Sequence, residues 1–171
     1  MAKTNGIKKN DIHTISILVA NKPGVLVRVA LVFARRGYNI DALAVSPSFN
    51  PQYSRMTITA QGDPATLDQI IKQASKLIDV IHCEEHNDKD AIHRELALLK
   101  LKSTPVNKAI IIKLAKKFHA HVVDTSKDTL IIQQNGTTEE LNEFESLLKK
   151  YGVLEMVRSG KLVMARGKET T

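Results

Sequence analysis

Val19 to Ile40 reads VANKPGVLVRVALVFARRGYNI, a strand end, a turn and a helix in one run. The first residues close an apolar strand, Asn21-Lys22-Pro23-Gly24 makes a tight turn, Val25 to Arg36 reads as a helix, and Gly37 stops it. At about 100° per residue, Leu26, Ala30, Phe33 and Gly37 share one face, with Val29 and Ala34 on its shoulders. A strand that feeds a helix through a glycine turn leaves first-turn N–H groups unpaired and pointing outward, where they can hold a phosphate or a carboxylate. An ordinary strand–helix connection has the same pattern, and one glycine does not separate the two readings. Val25, Leu31 and Val32 point away from the expected core face, around Arg28 and Arg35. A helix apolar beyond one stripe has a second neighbour, which favours a dimer or a larger partner.

On the N-terminal side, His13–Val19 alternates as a strand with Ile15, Ile17 and Val19 on one face. Residues 1–12 are polar and basic and read as a flexible tail without the apolar segment of a signal peptide. On the C-terminal side, Asn39–Val45 and Arg55–Ala60 read as strands around a turn at Ser48–Gln52, with Met56, Ile58 and Ala60 inward. Asp63 caps a helix that Pro64 begins and that buries Leu67, Ile70, Ile71, Ala74, Leu77 and Ile78. Val80–Glu85 is a fourth strand. The order βαββαβ predicts an antiparallel sheet backed by two helices, a ferredoxin-like sandwich. Its outer sheet face is expected to carry Thr14, Ser16, Leu18, Leu43, Val45, Thr57 and Thr59.

His86–Ala91 reads as a polar linker, and the pattern then recurs about 80 residues on. Arg94–Leu101 is a strand, and a helix from Thr104-Pro105 to Phe118 buries Ile110, Ile111, Leu114 and Phe118. His121–Asp124 and Thr129–Gln133 are strands. Thr137 and Glu140 form a capping box on a helix that buries Leu141, Phe144, Leu147 and Leu148 and ends at Gly152. Val153–Val157 and Lys161–Ala165 close the chain as strands. The expected fold class is therefore α+β: two ferredoxin-like βαββαβ domains, 13–87 and 88–171, after a tail of residues 1–12.

Composition narrows the function. A hydrophobic fraction of 43% and a charged fraction of 25% are those of a globular protein. No apolar run approaches the ~20 residues that span a bilayer. The single cysteine, Cys83, lies near Val80 and Ile81; it excludes a disulfide framework and reads as a buried, inert thiol. The formal charge of +7 permits nucleic-acid binding. However, Lys113, Lys116, Lys117, Lys149, Lys150, Arg158, Lys161 and Arg166 read as dispersed, and no aromatic-rich strand is present to stack bases. An acidic protein partner explains the charge equally well. His119 and His121 can share a strand face, but no metal-ligand set, nucleophile elbow or P-loop accompanies them.

Residues 13–87 resemble an ACT domain, the amino-acid-sensing ferredoxin-like module. The chain after its tail is similar to the small, regulatory subunits of acetohydroxyacid synthase (acetolactate synthase). The motifs that carry the resemblance are NKPGVL (21–26), ARRGYNI (34–40), SRMTI (54–58), KLIDV (76–80), RELALLK (94–100), VVD (122–124), RSG (158–160) and ARG (165–167), all in register. It implies a subunit with no catalysis and no cofactor of its own. Its partner is the large subunit, with thiamine diphosphate, Mg and FAD, which condenses pyruvate with a second 2-ketoacid at the start of branched-chain amino-acid synthesis. The resemblance further implies a homodimer through ACT domains, activation of the large subunit and feedback inhibition by valine. It implies no nucleic-acid or membrane partner, and a bacterial cytoplasm or a plastid stroma.

The effector site it implies uses Asn21, Gly24, Val25 and Leu26 of one chain with Asn39 and Ile40 of the other. The physics fits that placement. Helix N–H groups at Gly24–Leu26 suit a carboxylate, an Asn21 or Asn39 oxygen can accept from an ammonium, and Val25, Leu26 and Ile40 can wall an isopropyl group. Thr125 in VVDTS stands where the family carries an aliphatic residue, so the effector is expected to be a branched-chain amino acid rather than valine alone. The alternative is a stand-alone amino-acid-sensing ACT protein acting on another enzyme or on transcription, which gives no reason for RELALLK and RSG to match.

Overall fold

The computed structural model describes residues 11–87 and 89–168. The expected tail lies outside the described residues up to residue 10. Its last two positions belong to the first strand, where Asp11 pairs with Gly62 and Ile12 with Gln61. The described residues divide into two compact units: those up to Ile92 together with those from Val163 on, and His93–Leu162.

In the first unit, β1 (Asp11–Ala20), β2 (Ile40–Pro47), β3 (Tyr53–Gly62) and β4 (Val80–His86) form an antiparallel sheet in the order β2-β3-β1-β4. Helices α1 (Val25–Ala34) and α2 (Pro64–Ala74) supply the helix layer. Ile15, Ile17, Val19, Met56, Ile58 and Ala60 from the sheet meet Val25, Val29, Val32, Phe33, Leu67 and Ile70 from the helices in one buried cluster.

That cluster corrects the expected face of α1. Val25 and Val32 are core residues, and Leu26 is exposed. The i, i+4, i+7, i+8 row of Val25, Val29, Val32 and Phe33 faces the sheet, so Ala30 and Gly37 lie off the seam. Asp63 caps α2 as expected, accepting from Thr66 N at 2.9 Å. The helix ends at Ala74, so Ile78 is exposed rather than buried.

Register corrects the outer sheet face. An irregularity between Ile40 and Ala42 sets Leu43 opposite Ile58 and Val45 opposite Met56, on the helix side, and Ala42 and Ala44 opposite Thr59 and Thr57. Four of the residues expected on the outer face are covered. Thr14, Ser16, Thr57 and Thr59 are buried, and Ser16 Oγ meets the buried His86 Nε2 at 2.7 Å.

His86 ends β4 and Ala91 opens β5 (Ala91–Lys102), so the linker contracts to a tight turn in which Asn87 N donates to Asp90 Oδ1 at 2.9 Å. The second unit repeats the topology. β5, α3 (Lys108–Lys117), β6 (His121–Thr125), β7 (Thr129–Gly136), α4 (Thr138–Leu148) and β8 (Val153–Arg158) give the sheet order β6-β7-β5-β8; β9 (Leu162–Ala165) pairs with β5 and from Val163 on belongs to the first unit. Helix α3 begins later than expected because Thr104 and Asn107 close a turn around Pro105. Thr104 N donates to Asn107 Oδ1 at 2.8 Å and Asn107 N to Thr104 Oγ1 at 3.3 Å. Ile111 and Ala115 face the core, and Ile110, expected inside, is exposed. The Thr137/Glu140 capping box on α4 is present. Phe144 of that helix packs its ring 5.2 Å from that of Phe118.

The motifs RELALLK and RSG meet in this unit. Arg158 on β8 donates through Nη2 to the buried Glu95 on β5 at 2.6 Å and through Nη1 to Asn142 on α4 at 2.6 Å. Thr138 donates to the other Glu95 oxygen. Ser159 brackets the same strand: its N donates to Leu96 O at 3.0 Å, and its Oγ accepts from Leu96 N at 3.1 Å. One carboxylate thus ties two strands to a helix, with its charge matched and its oxygens occupied.

Candidate effector site

The turn between β1 and α1 is held open at its polar end. Gly24 is the helix N-cap, with φ of 80°, a left-handed conformation that an L side chain adopts only under strain. No side chain caps α1, and no acidic residue lies in its first turn. Val25 N donates to Lys22 O at 3.4 Å, so the first-turn N–H groups after it, with the positive end of the helix, face outward without an acidic residue in that turn. Asn21 is anchored next to them. Its N donates to Gln52 O at 2.8 Å and its Nδ2 to Pro51 O at 3.0 Å, which leaves Oδ1 as an acceptor.

Asn39 and Ile40 sit at the far end of α1, where the chain enters β2. Asn39 Nδ2 donates to Asp41 Oδ1 at 3.1 Å, so its Oδ1 is also an available acceptor. Ten helical residues at 1.5 Å each separate the two groups by about 15 Å within one chain. The structure brings Asn21, Gly24, Val25 and Leu26 together and places Asn39 and Ile40 elsewhere. Val25 contributes only its backbone to the turn, since its side chain is in the core. Leu26 is exposed beside the turn.

Two charged residues at the site escaped sequence reasoning. Arg28 is one helical turn past Gly24, and its guanidinium folds back until Nη1 lies 3.4 Å from where a Cβ on Gly24 would stand. The other nitrogen, Nη2, pairs with Asp79. Asp41 adds a carboxylate next to Asn39. The i, i+4 spacing from Gly24 was the available signal for Arg28; Asp41 carried none beyond its adjacency. The turn thus offers backbone donors and the free Nη1 edge of a guanidinium that Asp79 already pairs through Nη2, and the far end of the helix offers acceptors and an anion. An amino acid's two ends need those two sets.

Two further features bear on the face around α1. Strand β2 is the edge of its sheet, and Leu26, Val27 and Leu31 are exposed on the outer side of α1. The remaining candidates are quiet. Cys83 has its thiol pushed up to about 11 by burial, with a Ser75 hydrogen bond pulling weakly the other way. Among the described residues no group of three or more His, Cys, Asp or Glu side chains could hold a metal ion, His119 and His121 included. No helix of the described residues is long and apolar enough to cross a membrane.

Fold and turn together define a class: a ferredoxin-like module of the ACT type in the first unit, with the βαββαβ topology repeated in the second. Comparison with known proteins places the chain within that class. Residues 15–82 match the family described as the AHAS small subunit-like ACT domain, and residues 94–167 match the small subunit of acetolactate synthase. The chain is 42% identical over 155 residues to a probable acetolactate synthase small subunit of Archaeoglobus fulgidus, covering 91% of this chain and 97% of that one. It is 42% identical over 155 residues to the acetolactate synthase small subunit of Mycolicibacterium smegmatis, covering 91% of each. The crystal structure of the acetolactate synthase small subunit of Thermotoga maritima superposes with a TM-score of 0.84 at 36% identity, over 93% of this chain and 99% of that one. The chain belongs to the acetolactate synthase small-subunit family. It is a non-catalytic regulatory subunit, and its family implies a catalytic large subunit as partner.

Proposed function

We propose that this chain raises the activity of the acetolactate synthase catalytic subunit and makes that subunit sensitive to valine or another branched-chain amino acid. The effector sits between the first units of two copies, with Asn21, Gly24, Val25 and Leu26 from one and Asn39 and Ile40 from the other. The observation that carries this reading is the separation of the two half-sites by the length of α1. An antiparallel pairing of α1 with its counterpart, along the β2 edge, brings the N-terminus of one helix to the C-terminus of the other at two equivalent places. It also covers Leu26, Val27 and Leu31. The ligand's carboxylate meets the open α1 N-terminus and Arg28; its ammonium meets the Asn21 and Asn39 oxygens and Asp41; its branched side chain meets Leu26 and Ile40.

The chain's own residues bind and transmit; thiamine diphosphate, Mg and FAD belong to the catalytic subunit in this reading. The bacterial and archaeal relatives support a cytoplasmic setting. The test is reconstitution with the catalytic subunit. Acetolactate formation should rise when this chain is added and fall again with valine, leucine or isoleucine. A catalytic subunit whose rate and valine response are unchanged by the chain would refute the proposal.

A further inference from the structure

The connection β5-α3-β6 holds in the second unit the place that β1-α1-β2 holds in the first. Strand β6, like β2, is the edge of its sheet, and α3, like α1, links the central strand to that edge. The outer faces differ. On α1 it is aliphatic; on α3, Lys113, Lys116 and Lys117 are exposed beside Ile110, which is 49% exposed, and Val106 just ahead of the helix is 82% exposed. An open groove of about 510 Å³ runs along α3, lined by Ile110, Lys113, Leu114, Lys116 and Lys117. All five residues of β6 are exposed. Among the described residues no carboxylate lies within ion-pair distance of these three lysines; the paired lysines are Lys72, Lys100 and Lys149. The carboxylate on β6, Asp124, is opposite Ile131, and the flanking pair Leu130 and Ile132 faces the core, so Asp124 points to the sheet face away from α3. Lysines that read as dispersed in the sequence are thus gathered by one helix into an unneutralised row with aliphatic residues between them.

We propose that the α3–β6 face of the second unit docks an acidic, aliphatic-anchored surface of the acetolactate synthase catalytic subunit. This rests on the reading that the chain acts on that subunit. Charge decides the occupant. A second copy seated isologously would set the lysine row of one chain against that of the other, like charge on like. A nucleic acid would leave Val106, Ile110 and Val123 without a stacking partner, since no aromatic interrupts them. An acidic protein surface neutralises the lysines, fills the groove around Ile110, and can add a strand or an apolar side chain along β6.

The experiment uses the full chain and its cognate catalytic subunit, with affinity read from the titration of activation and from direct binding. Charge reversal by Lys113→Glu with Lys117→Glu should weaken binding about 10-fold or more and flatten its salt dependence. Ile110→Asp should weaken it without reversing a lysine, and Lys113→Arg with Lys117→Arg should leave it unchanged. All these positions are exposed, so melting temperature and self-association should stay as in the wild type. Equal binding by wild type and charge-reversed chain would overturn the docking face while leaving the regulatory reading standing. So would a charge-reversed chain that dissociates into single copies, or one that loses only retention on DNA. A wild-type chain that fails to bind the catalytic subunit at all would overturn both.

Discussion

Helices α1 and α3 start from the same place in the same topology and finish with different surfaces. Helix α1 is entered through a left-handed glycine with no capping side chain. Helix α3 is entered through the Thr104–Asn107 turn, in which the Asn107 side chain also donates to Lys102 O at 3.1 Å. The first entry leaves its first-turn donors without a capping side chain, and the second spends its polar groups on its own backbone. Outward, α1 shows Val27 and Leu31 where α3 shows lysines. Both inner faces are aliphatic and pack on their own sheets. The repeated topology thus keeps its aliphatic cores while its helix entries and outer faces diverge.

Leu31→Glu should have the largest effect. In a pairing of two α1 helices each substitution counts twice, and two carboxylates forced into an apolar seam cost about 4 kcal/mol, roughly a thousandfold in dimer affinity. Leu31 is exposed in the single chain, so the unit should still fold. Sedimentation should show the wild type as a dimer and the variant as a monomer; an unchanged dimer would place the pairing face elsewhere.

Next comes Arg158→Met, which acts only on the second unit. It strands Glu95, whose side chain is 6% exposed, and should cost about 3 kcal/mol, less than a fully buried pair because Arg158 is partly exposed. Hydrogen exchange should quicken in β5, β7 and β8 and stay slow in β1 and β3. Equal loss of protection in both units would show that they unfold together.

Gly24→Asp acts at the entry of α1. A carboxylate there meets the ligand's own at ~4 Å, a repulsion of roughly 4 kcal/mol at an effective dielectric near 20. Solvent and the Arg28 guanidinium offset part of this and leave about 2 kcal/mol, a 30-fold loss of effector affinity. The left-handed φ adds about 1 kcal/mol of strain to folding, a cost that Asp tolerates better than most residues. The inhibition curve of the reconstituted enzyme should shift accordingly while activation persists; an unshifted curve would remove the turn from the site. The smallest effect concerns Cys83. With its thiol pushed up to about 11, native protein should react with a disulfide reagent many times more slowly than unfolded protein at neutral pH. Equal rates would mean the β4 side of the first core opens readily.

What the sequence made legible was periodicity and capping. Ile15, Ile17 and Val19 announced a strand, and Thr137 with Glu140 announced a helix start, because both signals are local. The failures were cases where a distant contact decides. A wheel around Phe33 gave two equally apolar faces for α1, and only the sheet chose Val25 and Val32 over Leu26. An irregularity at the start of β2 moved Leu43 and Val45 across the sheet, which strict alternation cannot foresee. Thr104-Pro105 looked like a helix start until Asn107 competed for the same backbone groups. RELALLK and RSG were visible as motifs, but that Glu95 and Arg158 touch across 63 positions of sequence was not. At the effector site Asn21 and Gly24 were legible as a turn, whereas Arg28 and Asp41 needed coordinates to show what they approach.

On the proposed reading, each effector site takes its turn from one chain and Asn39 from the other. Mixing two defective subunits tests it. In a heterodimer of a Gly24→Asp chain with an Asn39→Ala chain, one shared site carries both lesions and the other carries neither. Calorimetric titration with valine, or with whichever branched-chain amino acid the wild type binds, should recover one wild-type-affinity site per heterodimer. Each homodimeric variant alone should give none of that affinity. A heterodimer as defective as its parents would mean that both lesions act within one chain, and the shared site would be wrong.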